Sequence, residues 1–393
     1  MRLANDLARK TAIVGIGATE FSKDSGRSEL SLAVEAVKAA LDDAGLAPKD
    51  VDGYSTYTMD NNPAIEVNRF LGGGDLSFFS SVHYGGGAAC ATLQQAAMAV
   101  ATGVADTVVC YRAMNERSQQ RFGAGLQARP VPPNTENSLF GWYSPYGMLT
   151  PAAWVAMNAQ RYLHEYGATT EAFGRVSVAA RKHAATNPSA WFYQRPITLE
   201  DHQSSRWIIE PLRLLDCCQE SDGSVAVVVT SLERARDLRQ KPALIAAAAQ
   251  GATHEQQMMT SYYGDDITGL PEMGLVAAQL YETAGVGPND VQIAVIYDHF
   301  TPFVLVQLEE FGFCGRGEAK DFVRDGNIEL GGRLPVNPHG GQLGEAYIHG
   351  MNGVSEAVRQ IRGTAVNQVE GVEHVVVTAG TGLPTSGLIL AAD

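Results

Sequence analysis

Hydrophobic positions along the chain follow two periods in turn. Thr11 to Gly17, TAIVGIG, is a short apolar run closed by glycines, the pattern of a buried strand. Beyond it Leu30, Val34, Val37, Leu41 and Ala44 recur every three to four residues, one face of a helix that should stop at Gly45. That helix runs into AGLAPKDV. The phrase returns as AGVGPNDV, with Ala284 in the place of Ala44, behind the equally helical EMGLVAAQLYETAG. The correspondence extends both ways. KTAIVGIGATEF from Lys10 parallels KPALIAAAAQGAT from Lys241, and each half then shows a glycine-rich turn, a helix and an apolar strand. In the first half these are HYGGG, the segment from Ala88 to Thr102, and VADTVVCYRA; in the second they are HGG, the segment from Gly344 to Arg362, and VEHVVVTAG. Apolar strands such as VQIAVIY need helices to cover them, so the pattern predicts a layered α/β fold made by duplication, residues 1–240 forming one half and 241–393 the other. Residues 117–210 break the symmetry. They are rich in Trp, Tyr, Pro and Arg, as in RPVPP and GWYSPYG, and are expected to form an elaborated loop region within the first half.

Composition narrows the partners. With 393 residues, 45% hydrophobic and 18% charged, the chain can bury a core in each half. No apolar run approaches the roughly 20 residues of a membrane helix, and MRLANDLARKTAIVG lacks the apolar centre of a signal peptide, so a cytoplasmic protein without a membrane span is expected. A net charge of −14 leaves no basic footprint for nucleic acid. Cys90, Cys110, Cys217, Cys218 and Cys314 have no spacing suited to zinc or a disulfide frame; reduced thiols and no metal site are expected. GIGATE lacks the third glycine and the acidic partner of a dinucleotide fingerprint.

The chemistry concentrates in two places. NPHGGQLGEAYIHGMNG, Asn337 to Gly353, sets His339, Glu345, Tyr347 and His349 among glycines, an unusual load for a connecting loop. IYDHF puts Tyr297, Asp298 and His299 at the end of the apolar strand VQIAVI, and ligands of α/β sheets gather beyond the carboxyl ends of strands. Met351, Val354, Val358 and Ile361 mark one helix face, so Tyr347 is expected to open that helix, near unpaired N–H groups and the positive dipole end that favour a phenolate. Help of that kind is needed, because a phenol with a pKa near 10 is only about one-thousandth ionised at neutral pH, an obstacle of roughly 4 kcal/mol. Asp298, His299, His339, Glu345 and His349 are the neighbours able to depress that pKa or relay the proton. Asp298 and Glu345 can equally cap helix starts, and a histidine in a glycine turn can simply bond backbone. His83, Tyr84 and Gly86 beside the first turn, with Gly341 in the second, are candidate substrate-lining residues.

PLRLLDCCQESDGSVAVVV, NPHGGQLGEAYIHGMNG and the duplicated start resemble, over essentially the whole chain, the thiolase superfamily in its sterol carrier protein X or lipid-transfer-protein branch. The resemblance implies a five-layered αβαβα thiolase fold of two similar halves, usually a homodimer, acting on acyl-CoA thioesters. The departures from it carry the information. A thiolase's nucleophilic cysteine falls at Gly86 or Gly87, its catalytic histidine at Tyr347, the asparagine or histidine ending the strand at Tyr297, and its second cysteine within VTAGTG. Without these groups the thiolase mechanism is lost, unless the displaced Cys90 reaches the site. The pattern is similar to the thiolase-like aldolases of bacterial steroid side-chain degradation, in which tyrosines at these two positions carry a retro-aldol cleavage. With the helix terminus favouring its phenolate, Tyr347 is expected as base and Tyr297 as proton donor. The implied substrate is a 17-hydroxy-3-oxopregn-4-ene-20-carboxyl-CoA type thioester, cleaved to a 17-keto steroid and propionyl-CoA. No cofactor is implied, since coenzyme A is part of the substrate. The implied partner is a small OB-fold and zinc-ribbon subunit that completes the site. Rival readings are an aldolase acting on a 22-hydroxylated side chain, a 3-ketoacyl-CoA thiolase, and a non-catalytic acyl-CoA-binding subunit.

Overall fold

The computed structural model describes residues 7–119, 121–124, 141–257, 259, 262 and 264–393. The apolar runs form strands β1 (Thr11–Ala18), β2 (Gly53–Tyr57), β3 (Phe78–Val82), β4 (Thr107–Asn115), a short hairpin of β5 (Trp207–Ile209) and β6 (Leu212–Arg213), β7 (Asp222–Ser231), β8 (Ala243–Gly251), β9 (Ile293–Val295), β10 (His374–Ala379) and β11 (Thr385–Ala391). The larger sheet has nine strands in the order β3-β2-β4-β7-β1-β8-β11-β10-β9. Its centre is a seam where β1 and β8 run antiparallel, registered at Ala12 with Leu244 and Ile13 with Ala243. Outward from the seam the strands mirror each other: β7, β4 and β2 on one side answer to β11, β10 and β9 on the other, with β3 as an additional edge.

The helices are α1 (Glu29–Ala44), α2 (Ala64–Leu71), α3 (Ala89–Ala101), α4 (Pro151–Tyr166), α5 (Thr170–Thr186), α6 (Pro271–Ala284), α7 (Thr301–Glu310) and α8 (Met351–Arg362), with shorter turns between them. Local chemistry sets their ends. Ser28 accepts from the Ser31 N–H to start α1, and Gly45, left-handed at φ 77°, ends it. Alternation along the strands then sorts side chains between layers. Ile13, Val225, Val227, Val229, Val295 and Val377 face inward onto α3 and α8, whose Leu93, Val354 and Val358 share one core with them. Their sequence neighbours Ala12, Val14, Ala226 and Val228 face outward under α1. On the other half Ala294, Ile296, Val376 and Ile389 lie under α6 and α7. Outer helix, one arm of the nine-stranded sheet, central helices, the other arm and outer helix thus make five layers, each buried Val, Leu or Ile contributing about 1.5–3 kcal/mol. The glycines of GIGATE serve this packing. A Cβ on Gly15 or Gly17 would overlap the Ala40 or Ala36 carbonyl of α1, so their bareness lets helix and strand approach.

One expectation needs correction. Residues 117–210 were expected as loop, yet much of the segment is helical: Thr150 accepts from the Ala153 N–H to cap α4, Pro151 takes its first turn, and alanines fill the buried face of α5. RPVPP lies outside the described residues. Among the described residues no helix is long and apolar enough to cross a membrane.

Candidate active site

Tyr297 and Tyr347 are 50 residues apart in the chain and their hydroxyls meet at 3.1 Å. The inward alternation of β9, Ile293 and Val295, continues to Tyr297 and aims its ring at the central layer. Its backbone is fixed on both sides, the N–H donating to Thr378 Oγ1 at 2.9 Å and the carbonyl accepting from Gln307 Nε2 at 3.0 Å. Both tyrosines are buried, 3% and 8% exposed, with their rings at 71°. The Tyr297 hydroxyl fills the room left by Gly86: a Cβ on that glycine would overlap the phenolic oxygen outright. The first-half turn and the second-half strand end therefore fit together because residue 86 carries no side chain.

Tyr347 does not open the helix as expected. His349 and Gly350 are both left-handed, φ 48° and 88°, which no helix continues through, and α8 begins at Met351. The Tyr347 N–H instead donates to Ser221 Oγ at 3.1 Å. Burial drives both phenols well above their ordinary value; for Tyr297 the Tyr347 hydroxyl pulls the other way, and for Tyr347 the adjoining Tyr297 adds to the rise. Both are protonated at neutral pH. Tyr347 as a standing phenolate base is thereby corrected: the pair is two hydroxyls in contact, able to exchange a proton and to donate to an oxygen placed beside them.

The supporting residues brace this pair more than they charge it. Asp298 accepts from the N–H groups of Gln342, at 2.7 Å, and Leu343, at 3.4 Å, capping the short turn Gly341–Gly344. Burial raises its carboxyl to about 6. Gly341 packs against that carboxylate, where a Cβ would overlap an oxygen, and its part is the loop's fit rather than a substrate wall. Glu345 accepts from Asn187 at 3.2 Å and Asn352 at 2.9 Å, with His339 Nε2 3.9 Å away, and burial raises it to about 7. His339 and His299 are both held neutral, lowered by burial to about 3. His299 sits edge-on to Tyr297, ring centroids 4.8 Å apart, with Nε2 3.3 Å from Thr381 Oγ1. Neither histidine carries the positive charge that would depress a phenol. His83 is exposed, its ring 5.2 Å from that of Tyr84. Tyr84 does line a cavity, of about 210 Å³, together with Arg112, Met114, Glu116 and Phe122.

That cavity's other residues went unread in the sequence. Arg112 forms a buried ion pair with Asp60 at 3.1 Å and donates from Nε to His349 Nδ1 at 3.0 Å. Glu116 is buried with carboxyl oxygen Oε2 unpartnered among the described residues, and burial first, then Glu220, pushes it well above the usual carboxylate range. Lys23 bonds Gln219 Oε1 at 3.0 Å and the Glu220 carbonyl at 2.6 Å, and burial lowers it to about 8. A signal was present: in VVCYRAMNE a cation and a carboxylate end an otherwise apolar strand, and a buried charge implies a buried partner. Cys90 lies in the first turn of α3, 0% exposed, its thiol 3.7 Å from the Val377 carbonyl and driven up by burial. It is an inert core thiol.

Residues 250–391 match the family described as Thiolase C-terminal domain-like. The chain is 68% identical to the steroid side-chain-cleaving aldolase of Thermomonospora curvata, over 97% of this chain and 98% of that one. It is 67% identical to the 17-hydroxy-3-oxo-4-pregnene-20-carboxyl-CoA lyase of Mycobacterium tuberculosis, over 98% and 100%. Among solved structures it superposes on an Ltp2-ChsH2(DUF35) aldolase with a TM-score of 0.94 at 66% identity, covering 98% of this chain and 99% of that one.

Proposed function

The chain belongs to the thiolase superfamily, and from that premise we propose that it is a carbon–carbon lyase cleaving a steroid β-hydroxyacyl-CoA by a retro-aldol reaction. The substrate is of the 17-hydroxy-3-oxo-4-pregnene-20-carboxyl-CoA type, the compound in the name of the Mycobacterium tuberculosis relative, and the products are a 17-keto steroid and propionyl-CoA. One observation carries the reading: the place of a thiolase nucleophile is occupied by the Tyr297 hydroxyl, bonded at 3.1 Å to Tyr347.

In the proposed step the 17-hydroxyl gives up its proton and its oxygen becomes a carbonyl. The bond from the carbinol carbon to the thioester α-carbon breaks, its electron pair passes to the thioester as an enolate, and the α-carbon takes up a proton. One proton leaves and one returns, so the reaction calls on no cofactor, coenzyme A being part of the substrate. The protonated tyrosine pair handles this traffic without a standing phenolate: one hydroxyl accepts from the steroid as its own proton moves on, and the other donates. Glu116, held protonated by its burial, lines the adjoining cavity with its Oε2 unpartnered among the described residues and takes no proton from the pair. Asp298 and Glu345 hold the loop that carries Tyr347.

We further propose that the protein works in the cytoplasm as a homodimer with an OB-fold and zinc-ribbon partner. The solved relative, an Ltp2-ChsH2(DUF35) aldolase, supports the partner. Mass-spectrometric product analysis tests the function: the chain and such a partner, given a 17-hydroxy steroid carboxyl-CoA, are expected to yield the 17-keto steroid and propionyl-CoA. Intact substrate, with the thioester demonstrably bound, would sink the proposal.

A further inference from the structure

We infer that His349 is a further catalytic residue, a fixed Nε2–H donor to the substrate's thioester oxygen as the enolate forms; the inference rests on the retro-aldol reading above. The tautomer follows from its partner. Arg112 Nε donates to His349 Nδ1 at 3.0 Å, and a guanidinium has no acceptor to offer, so Nδ1 holds a lone pair and the ring hydrogen sits on Nε2. Arg112 cannot turn away: its Nη1 is bound to Asp60 Oδ2 at 3.1 Å and to the Ala113 carbonyl at 2.6 Å, and both side chains of the ion pair are buried.

The ring is as firmly held as its hydrogen. It lies between Phe122, centroids 5.3 Å apart at 20°, and Tyr57, 6.0 Å apart at 24°. Tyr57 also donates its hydroxyl to the His349 carbonyl at 3.3 Å. The residue's left-handed backbone, φ 48°, costs a non-glycine on the order of 1–3 kcal/mol and persists where surrounding contacts impose it. Strain of this kind, so thoroughly enforced, marks a position whose aim matters.

The aim is into the reaction site. A Cβ on Gly85 would stand 3.4 Å from His349 Nε2 and 3.5 Å from Cε1, so the Nε2 edge lies along the Gly85–Gly87 turn, the same turn into which the Tyr297 hydroxyl fits. On its other side the ring meets Tyr347 edge-on, centroids 5.1 Å apart. The Nε2 edge therefore lies against the first-half turn, with the Tyr347 ring beside it. Burial and the neighbouring Arg112 both drive the ring's proton affinity down, which keeps it an uncharged donor. A neutral imidazole that polarises a carbonyl stabilises the developing negative charge without surrendering its own proton, and a donor locked before the substrate arrives costs no reorganisation.

Two measurements on the full chain decide this. In ¹⁵N-histidine-labelled protein, the His349 resonances, assigned by their loss in His349→Gln, are expected to show an unprotonated Nδ1 and a protonated Nε2 from pH 6 to 8.5. An Nδ1–H tautomer or an imidazolium in that range overturns the proposal, whatever the turnover. In steady-state cleavage, His349→Phe is expected to lower kcat by about 10²–10³-fold, the usual cost of one oxyanion donor, with KM changed less than threefold. A residue that merely held the turn would change KM and the unfolding midpoint while lowering kcat less than tenfold, and that outcome also overturns it. Failure of the functional reading is a separate result, since it appears as no cleavage by the unsubstituted protein, while the tautomer is read without substrate.

Discussion

The two glycine-rich turns descend from one repeated unit and have gone opposite ways. The first-half turn, Gly85 to Gly87, holds no reactive side chain and offers space, which the Tyr297 hydroxyl occupies. The second-half turn, Asn337 to Gly350, carries Tyr347 and His349 and is braced beneath by Asn337, Asp298 and Glu345. The chemistry is loaded on one half and the other supplies room and a buried clamp, Asp60 with Arg112. A duplicated fold can thus keep its backbone symmetry and divide the labour of a site between its copies.

Removing the chemical side should have the largest effect. Tyr347→Phe and Tyr297→Phe are each expected to lower product formation by about 10²–10⁴-fold with the fold intact by circular dichroism, the range for a lost acid–base group. Near-normal turnover in either would break the comparison. Filling the vacant side comes next. Gly86→Ala places a methyl on the Tyr297 hydroxyl and must displace it, and since a shift of about 1 Å costs on the order of 10²-fold, cleavage should drop by that much while thioester binding, measured by calorimetry, is retained.

The bracing carboxyls predict a milder, pH-linked effect. Asp298 rises from 3.8 to about 6 and Glu345 from 4.5 to about 7 on folding. A group that holds its proton more tightly when folded contributes stability at low pH that is lost as the unfolded chain alone releases protons. The denaturation midpoint should therefore fall as pH rises from about 4 to about 7, and Glu345→Gln, which cannot ionise, should flatten that fall; an unchanged slope would deny Glu345 its place. The smallest effect is expected from iodoacetamide. Cys90 is sealed in α3, so treatment of the folded protein should leave turnover unchanged. Inactivation that Cys90→Ala abolishes would restore a thiol to the chemistry.

The sequence revealed the duplication, because period and phrase repeat along one chain, and it revealed both tyrosines, because each stands in a short motif. It could not show that their hydroxyls touch, nor that Gly86 makes the room, since those are distances between segments remote in sequence. Tyr347 was misplaced onto a helix start because the apolar periodicity of α8 does not register the left-handed His349 and Gly350 that delay it. Its phenolate went with that position, and burial, which no local pattern measures, reversed the expected pKa shift. Arg112, Asp60 and Glu116 escaped notice because they come from the half that looked chemically empty.

The overlap between a side chain at residue 86 and the Tyr297 hydroxyl also writes a history. If the ancestor bore the thiol that the family places there, glycine had to come first and the tyrosine could follow only into the space it opened. Return is blocked in the same way, since a cysteine restored at 86 meets an occupied seat. The lineage passed through a gate that closed behind it, and the present chemistry is kept by that closure as much as by its own usefulness.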